Sequence, residues 1–331
     1  MDPLSDLLRA VRLDGAHFYA VEARGPWRVE TAAAKELTPR IMPAAEHLIS
    51  YHIVTAGQCC GGVLGEEQVE LSAGDVIVFP HGDAHVMASA GATARSRHVH
   101  ISTPSRYRET VYLGDRGEPD ASFICGFLGC DRGPFNPLLA GLPRRVHVRR
   151  MSEVWIGGFT RQLTEESRLG QAGSDSILIR LAEAMFIEVL RRYMRELPPE
   201  QTGWLAGLRD EVVGRVLTLI HERPGHPWTL AGLAREAASS RTTVAQRFAV
   251  LVGQPPMQYL AQWRMQVAAH LLCQGRAKVA AVGAQVGYDS EAAFSRAFKK
   301  AAGLAPGAWR DRLRTGEQDV GTGSHGSPIS P

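Results

Sequence analysis

Residues 240–253 read SRTTVAQRFAVLVG, and residues 290–303 read SEAAFSRAFKKAAG. The two stretches align at an offset of fifty residues, and the aligned positions keep the same residue types: Ser240 with Ser290, Val244 with Phe294, Phe248 with Phe298, Gly253 with Gly303, and Pro256 with Pro306. Upstream, the same offset aligns Ala234 with Ala284 and Ala237 with Gly287. Repetition at a fixed period indicates one structural unit used twice, so we predict a duplicated helical unit of about 50 residues.

Each copy of the repeat predicts a helix-turn-helix. The support helices are predicted over Leu230–Ala238 and Val279–Gln285. Ser240 and Ser290 can cap the second helices by accepting hydrogen bonds from free N–H groups of the first turn. The apolar residues that follow recur at helical spacing and are expected to be buried: Val244, Phe248 and Leu251 in the first copy, Phe294 and Phe298 in the second.

The outer face of each second helix carries the side chains that would meet DNA. These are Arg241, Thr242, Ala245 and Gln246 in the first copy, and Glu291, Ala292, Ala293, Ser295 and Arg296 in the second. We expect Gln246 and Arg296 to read base edges, because Gln pairs with adenine and Arg with guanine. Arg247, Lys299 and Lys300 are better placed for phosphate. The alternative is a plain helical bundle, and two copies in phase favour DNA binding over it.

One apolar-faced helix is predicted between the copies, over Met257–Gln274, after a Pro-Pro pair and before Gly275. At ~1.5 Å per residue it spans ~27 Å. Successive major-groove faces of straight DNA are ~34 Å apart. A stiff spacer of this length could seat both recognition helices on one side of a duplex, more easily if the DNA bends.

Three stretches together resemble the DNA-binding domain of the AraC/XylS family: LAREAASSRTTVAQRF, the W-R-M-x-x-A-x-x-L-L of the linker helix, and VGYDSEAAFSRAFKKAAGLAPGAWR. The resemblance covers about residues 213–310. It implies a double helix-turn-helix that binds promoter DNA, with RNA polymerase as a partner, and it leaves activation and repression both open. The chain departs from the family at Gln246, where relatives often carry Arg.

Charge separates the two halves of this 331-residue chain, whose formal net charge is +3. Residues 212–314 hold 14 Lys and Arg against 5 Asp and Glu, a net of +9, so the remainder carries 3 − 9 = −6. A basic module joined to an acidic one fits a half that binds a polyanion and a half that stays off DNA. The sequence has neither a signal-peptide pattern nor a long apolar run, and we expect a cytoplasmic protein.

The first 150 residues predict a β-barrel or sandwich. Short strand-like pieces are separated by Gly, Pro and Asp: His17–Glu22, Trp27–Thr31, His47–Thr55, Gln58–Leu64, Gln68–Leu71, Val76–Phe79, His85–Ala88 and Arg97–Ile101. The run from Gly74 to Ser89 resembles the second cupin motif at Gly74, Pro80, Gly82 and His85. With the stretches ICGFLGC, LLAGLP and DSILIRLAEAMFIEVLRRY, the N-terminal half resembles the cupin-type sensing domain of one branch of AraC regulators.

The cupin motif is incomplete, because Ser89 replaces its Asn and the upstream His-x-His ligand pair is missing. One matched histidine is not a metal site, since a competent centre needs three or four converging ligands. We therefore expect no metal or other cofactor and name His52 and His85 as candidate effector-binding residues. An unconventional metal site could still be assembled from scattered histidines, namely His47, His52, His81, His98 and His100.

Two helices are predicted after the barrel, over Ser152–Leu169 and Ser174–Leu197. The second carries an apolar stripe of Leu178, Leu181, Met185 and Val189. The family resemblance implies that this pair dimerises, and the alternative is a stripe buried within its own subunit. The predicted domains are therefore a cupin-like sensing barrel (1–150), a helical dimerisation segment (151–197), a linker (198–211), a DNA-binding domain (212–310) and a disordered tail (311–331).

Five cysteines in a cytoplasmic chain do not suggest a disulfide framework. Cys59, Cys60, Cys125 and Cys130 are interpreted as small hydrophobic residues, with an oxidant-sensing thiol as the alternative. No nucleophile elbow, P-loop or dinucleotide fingerprint occurs. The sequence thus predicts a non-enzymatic, dimeric transcription regulator that responds to a small molecule or an oxidant. The alternative function is a metal-dependent cupin enzyme fused to a DNA-binding domain.

Overall fold

A computed structural model describes residues 2–10, 13–43, 45–91, 97–100, 110–115, 117–131, 133–169, 171–198, 200–275 and 277–311. The predicted tail beyond residue 311 lies outside these residues. Contacts divide the chain into two compact units. The barrel unit comprises Leu13–Asp131 and Leu142–Pro198, and the helical unit comprises Met1–Arg12, Arg132–Gly141 and Pro199–Pro331. None of the described helices is long and apolar enough to cross a membrane.

In the residues that the structure describes, the barrel unit contains one ten-stranded sheet and three helices. Its strands are β1 (Leu13–Arg24), β2 (Trp27–Thr31), β3 (His47–Val63), β4 (Val69–Ser72), β5 (Val76–Phe79), β6 (His85–Ala88), β7 (Arg97–His100), β8 (Val111–Gly114), β9 (Ala121–Cys130) and β10 (Val146–Val148). Its helices are α2 (Ala34–Ile41), α4 (Glu153–Leu169) and α5 (Ser174–Glu196). The main strand order is β7-β2-β6-β3-β9-β1-β8, and the sheet curls into a nearly closed barrel.

Strand β3 joins the two sides of the barrel. We predict two strands here, yet the structure has a single one, which pairs with β9 and β5 in its first half and with β4 and β6 in its second. The register shifts between Val54 and Ala56, and Gly57 follows with a φ of 71°. A Cβ at Gly57 would lie 1.9 Å from the Asp120 carbonyl oxygen, so glycine permits this close approach. The irregularity bends the strand without ending it.

Helices α4 and α5 pack together, and α5 covers β1 and β10. Met185 and Val189 are fully buried in the single chain, and Leu178 is nearly so. The predicted dimerisation stripe is therefore wrong for these three residues, because the subunit's own sheet already covers them. Leu181, the fourth member, is half-buried, and Ile177 beside it is 41% exposed.

The helical unit contains the repeat. Its helices are α1 (Pro3–Ala10), α3 (Pro137–Gly141), α6 (Trp204–Arg209), α7 (Glu211–Glu222), α8 (Leu230–Glu236), α9 (Arg241–Val252), α10 (Pro256–Cys273), α11 (Val279–Gln285) and α12 (Glu291–Ala302). Residues 306–311 are also helical. Helix α10 is the predicted linker helix, and it begins at Pro256, a favoured residue in the first helical turn.

Two segments from the first 150 residues, Met1–Arg12 and Arg132–Gly141, belong to the helical unit and not to the barrel. Helix α1 packs on α7 and α10 and buries Leu4 and Leu7, since an amphipathic helix needs an apolar partner for that face.

The predicted linker 198–211 also differs from the structure, because α6 forms within it. Trp204 is buried there, and its indole N–H donates to the Tyr259 hydroxyl at 2.7 Å.

Candidate nucleic-acid interface

Helices α9 and α12 are the two candidate recognition helices, and they have the same construction. Each is twelve residues long. The Ser240 hydroxyl accepts from the Thr243 N–H at 3.0 Å, and the Ser290 hydroxyl accepts from the Ala293 N–H at 3.2 Å. Gly253 and Gly303 end the helices with φ values of 81° and 77°. Both serines are therefore N-caps, and both glycines provide the left-handed stop.

The turns that precede the recognition helices are not equal in length. The left-handed turn residue is Ala238 (φ 49°) in the first copy and Gly287 (φ 84°) in the second, an offset of 49. The turn hydrogen bonds repeat at the same offset, from the Ser239 N–H to the Ala234 oxygen and from the Tyr288 N–H to the Gly283 oxygen. The alignments of Ala237 with Gly287 and of Ala234 with Ala284 are thus wrong, because Ala238 corresponds to Gly287 and Ala234 to Gly283. The second turn is one residue longer than the first. The sequence alignment did not reveal this difference, because both turns contain small residues.

None of the predicted DNA-contacting side chains is buried in the fold. Those of Arg241, Thr242, Gln246, Arg247, Glu291, Ala292, Arg296, Lys299 and Lys300 are exposed, and those of Ala245, Ala293 and Ser295 are half-exposed. The residues on the opposite face, Val244, Phe248, Phe294 and Phe298, are fully buried. Leu251, predicted to be buried, is only partly so. The burial pattern leaves one polar face of each helix available to a partner.

Arg247 already has a partner within the helical unit. Its guanidinium forms an ion pair with the Asp210 carboxylate, whose other oxygen caps α7 by accepting from the Val212 and Val213 N–H groups at 3.1 and 2.9 Å. The side chain of Asp210 is 11% exposed and that of Arg247 is 51% exposed. Arg247 therefore ties α9 to the start of α7, a role that the expected phosphate contact did not include.

A buried polar cluster packs against the inner face of the first recognition helix, α9. The Tyr259 hydroxyl lies 2.7 Å from His221 Nε2 and accepts from the Trp204 indole, and Phe248 of α9 packs edge-on against the Tyr259 ring. Burial lowers the pKa of His221 to about 3, so this imidazole is neutral at physiological pH. The cluster links α6, α7, α9 and α10, and its polar members Trp204, His221 and Tyr259 were not singled out from the sequence.

Gln266 of α10 is a second residue that sequence reasoning missed. It is 2% exposed, its amide N–H donates to the Ala10 carbonyl at 2.9 Å, and its amide oxygen accepts from the Phe135 N–H at 3.1 Å. A Cβ on Gly133 would lie 2.3 Å from this side chain. A polar residue inside the apolar face of α10 was the available signal. One amide therefore holds both segments that flank the barrel strands.

In the barrel unit, His52 and His85 lie together, with their Nε2 atoms 2.8 Å apart. His85 Nδ1 donates to the Asp83 carbonyl at 2.9 Å, so its Nε2 must accept from His52 Nε2–H. His52 Nδ1 then accepts from the Cys125 thiol at 2.8 Å, and the Tyr19 hydroxyl bonds to the same sulfur. Burial and the neighbouring His85 hold the pKa of His52 well below its usual value, and burial lowers that of His85 to about 4. Two neutral, buried imidazoles result.

This arrangement does not fit the metal centre of a cupin. The ring nitrogens of His52 and His85 are used in hydrogen bonds to each other, to a thiol and to a carbonyl. His47 and His81 face the carbonyls of Pro80 and Leu142 at 2.7 and 2.9 Å. The side chains of His98 and His100 lie outside the described residues. Within the described ranges, no group of three or more His, Cys, Asp or Glu could hold a metal ion.

Comparison with known proteins matches both units. A family model described as Cupin matches residues 2–195, and one described as Helix-turn-helix domain matches residues 233–312. An AraC-like transcription regulator of Streptomyces antibioticus is 32% identical over 317 residues, 94% of this chain and 98% of that protein. The regulator AlkR of Acinetobacter baylyi is 26% identical over 321 residues, 94% of this chain and 100% of that protein. The crystal structure of ToxT from Vibrio cholerae covers 92% of this chain and 98% of its own, at 11% identity and a TM-score of 0.36.

Fold, recognition helices and sequence matches together define a transcription regulator in which a cupin barrel precedes a helix-turn-helix DNA-binding domain. The chain belongs to the AraC family of transcription regulators.

Proposed function

We propose that this AraC-family regulator reads a promoter operator with the outer faces of α9 and α12. The observation that carries the proposal is the equivalence of the two helices, which have matching caps, stops and buried faces and each expose one long polar side chain at the same position. Gln246 would read adenine and Arg296 would read guanine. The flanking Arg241, Lys299 and Lys300 are exposed cations suited to phosphate. We infer that RNA polymerase is a partner at the promoter and that the protein acts in the cytoplasm.

The test is to sequence the DNA that the purified protein retains from fragmented genomic DNA. The proposal expects enrichment of promoter fragments that share a two-part motif. Retention of fragments without any common motif would contradict sequence-specific reading. The double variant Gln246→Ala/Arg296→Ala is the matched control, since it removes both base-reading groups from exposed positions and leaves the buried faces of α9 and α12 intact.

For the barrel, we propose a small-molecule effector near His52 and His85 and not an oxidant. Reaction with oxidants needs a thiolate. Burial raises the pKa of the Cys59 thiol to about 12 and also raises the pKa of Cys125. Cys125 and Cys130 lie in one continuous strand, so no hairpin brings them together. Thiols held protonated in the core are poor sensors, whereas a polar hydrogen-bond chain can respond to a ligand.

We also propose that the protein is not an enzyme. The rival function, a metal-dependent cupin enzyme, needs converging ligands, while His52 and His85 use their ring nitrogens in hydrogen bonds. Elemental analysis of protein purified without chelator is expected to give well under one transition metal per chain. Stoichiometric metal that disappears in His85→Ala would overturn this proposal.

We propose that the state of the barrel reaches the DNA-binding domain through Gln266. In the sequence, one of the two segments it binds precedes β1 and the other follows β9, and these two strands pair with each other. A ligand that shifts these strands would displace the two segments bound to the Gln266 amide and thereby move α10. Such a displacement would couple the ligand site in the barrel to the DNA-binding helices. Gln266→Met keeps a similar shape and removes both hydrogen bonds. Its expected effect is lost regulation of a target promoter with operator affinity retained, and unchanged regulation would contradict this route.

A homodimer remains our proposal, with different contact residues. The exposed flank of α5 carries Ile177, Leu181 and Ala184 at helical spacing, outside the face that its own sheet covers. This stripe can meet a second copy of α5 without disturbing the core.

A further inference from the structure

The two helix-turn-helix units of the helical unit share α10 as a common element. Tyr259 and Trp263 of this helix pack around His221 in the first unit. Met265 and Leu272, on the same helix, belong to the core of the second unit with Phe294 and Phe298. The shared helix α10 connects the two helix-turn-helix units. Any second contact between these two would restrict the rotation of one relative to the other.

A second contact exists between two turns. The loop of residues 224–226, between α7 and α8, meets the end of α11 at residues 285–287. A Cβ on Gly225 would lie 2.4 Å from the Gln285 carbonyl oxygen, and a Cβ on Gly287 would lie 2.7 Å from the Gly225 oxygen. Glycine at both positions therefore permits a backbone approach that any larger residue would block.

Arg264 of α10 stabilises this contact by hydrogen bonds to both turns. Its Nε donates to the Pro224 carbonyl at 2.7 Å and one terminal nitrogen donates to the His226 carbonyl at 2.8 Å, while the other reaches the Gly287 carbonyl at 3.5 Å. The first two carbonyls belong to the loop between α7 and α8, which leads into the first helix-turn-helix, and the third belongs to the turn of the second. Burial lowers the pKa of Arg264, yet a guanidinium stays charged in proteins.

We propose that Arg264 is a positioning residue that fixes the angle between α9 and α12 and so restricts the half-site separation that the protein accepts. Gly287 stands three residues before the Ser290 cap of α12, so holding its carbonyl holds the start of that helix. The planar guanidinium of arginine can donate hydrogen bonds to three carbonyls at fixed positions. The ammonium of lysine cannot reproduce that geometry. The inference rests on the proposed reading of DNA by both helices.

The experiment selects DNA from a random duplex library with the full chain, as wild type, Arg264→Gln, Arg264→Lys and Arg235→Gln. Arg235→Gln is the matched control, because it removes an arginine from the same domain whose side chain is 79% exposed. The readout is the distribution of separations between the two half-sites in the selected sequences. A residue with a general structural role would change how much DNA is retained and leave that distribution unchanged.

Wild type and Arg235→Gln are expected to select two half-sites at one separation. Arg264→Gln is expected to select the same half-sites with the separations spread to one base pair more and one fewer, and Arg264→Lys to behave similarly. A single unchanged separation in Arg264→Gln, or in Arg264→Lys if the glutamine variant fails to fold, overturns the inference alone. Absence of any two-part motif with wild type overturns the proposed function, and this inference with it.

Discussion

Gln246 and Arg296 occupy the same position in the two recognition helices: each is the sixth residue of a twelve-residue helix that begins after a capping serine. Both side chains are exposed. Two such helices, held by one linker helix, would present an amide and a guanidinium at the same depth in successive major-groove faces. Because the neighbouring positions carry Ala, Thr and Ser, few other groups can contact base edges.

Replacing Arg296 by Ala is expected to weaken binding to the operator by ~1–3 kcal/mol and to relax the preference at one guanine. Gln246→Ala should do the same at one adenine. The measurement is a competition of each variant between operator and random duplex DNA. Lys299→Ala is the control, and it should weaken both DNAs about equally. An equal loss on both DNAs for Arg296→Ala would make Arg296 a phosphate contact.

The ion pair between Arg247 and Asp210 is expected to contribute ~0.2–1 kcal/mol to the stability of the helical unit, because the arginine is half exposed and screened by solvent. A double-mutant cycle of Arg247→Ala and Asp210→Ala in urea unfolding measures this coupling. Asp210→Ala alone should cost more, by ~0.5–2 kcal/mol, because it also removes the cap of α7. Equal costs for the two single variants would show that the cap contributes little.

Stability is expected to fall as the pH drops below about 6.5, the ordinary pKa of histidine. Burial lowers the pKa of His221 to about 3 and that of His85 to about 4 in the folded chain, so unfolding takes up protons between those values and 6.5. Each buried imidazole then costs ~1.4 kcal/mol per pH unit within that window, and nothing above it. Urea unfolding at several pH values measures the slope. His221→Gln should reduce it, and an unchanged slope would show that His221 is already protonated in the fold.

A charge on the exposed flank of α5 is expected to separate a dimer without unfolding the subunit. Ile177→Glu should give a monomer in sedimentation equilibrium with an unchanged melting temperature. Met185→Glu should instead destabilise the fold by roughly 2 kcal/mol or more, because Met185 is fully buried. If the wild-type chain sediments as a monomer at every accessible concentration, the α5 flank is not a dimer surface.

Local signals carried the sequence-based prediction of α9 and α12. Their serine caps, apolar spacing and glycine stops act within a single helix, so each can be identified from neighbouring residues. Gln266 and Asp210 were missed because their partners lie far along the chain or on another helix. The dimer stripe failed for a related reason, since periodicity identifies an apolar face but not the surface that covers it.

The barrel shows the same limit. Short strand-like pieces separated by Gly, Pro and Asp predicted the strands, and the cupin resemblance singled out His85. Neither could show that β3 continues through Gly57, because that depends on an approach to Asp120 across the sheet. The contact between His52 and His85 is likewise hidden from the sequence, because their strand segments do not pair with each other. His85 is registered with Val63, whereas His52 is registered with Ile77 and Cys125.

Salt dependence tests the central claim, that the basic helical unit binds DNA, most directly. Residues 212–314 carry a net charge of +9, and each phosphate neutralised contributes ~0.9 to the slope of log K against log salt concentration. The operator affinity of the full chain is therefore expected to fall steeply with salt, with a slope that corresponds to several phosphates. A slope near zero would contradict DNA binding by this unit.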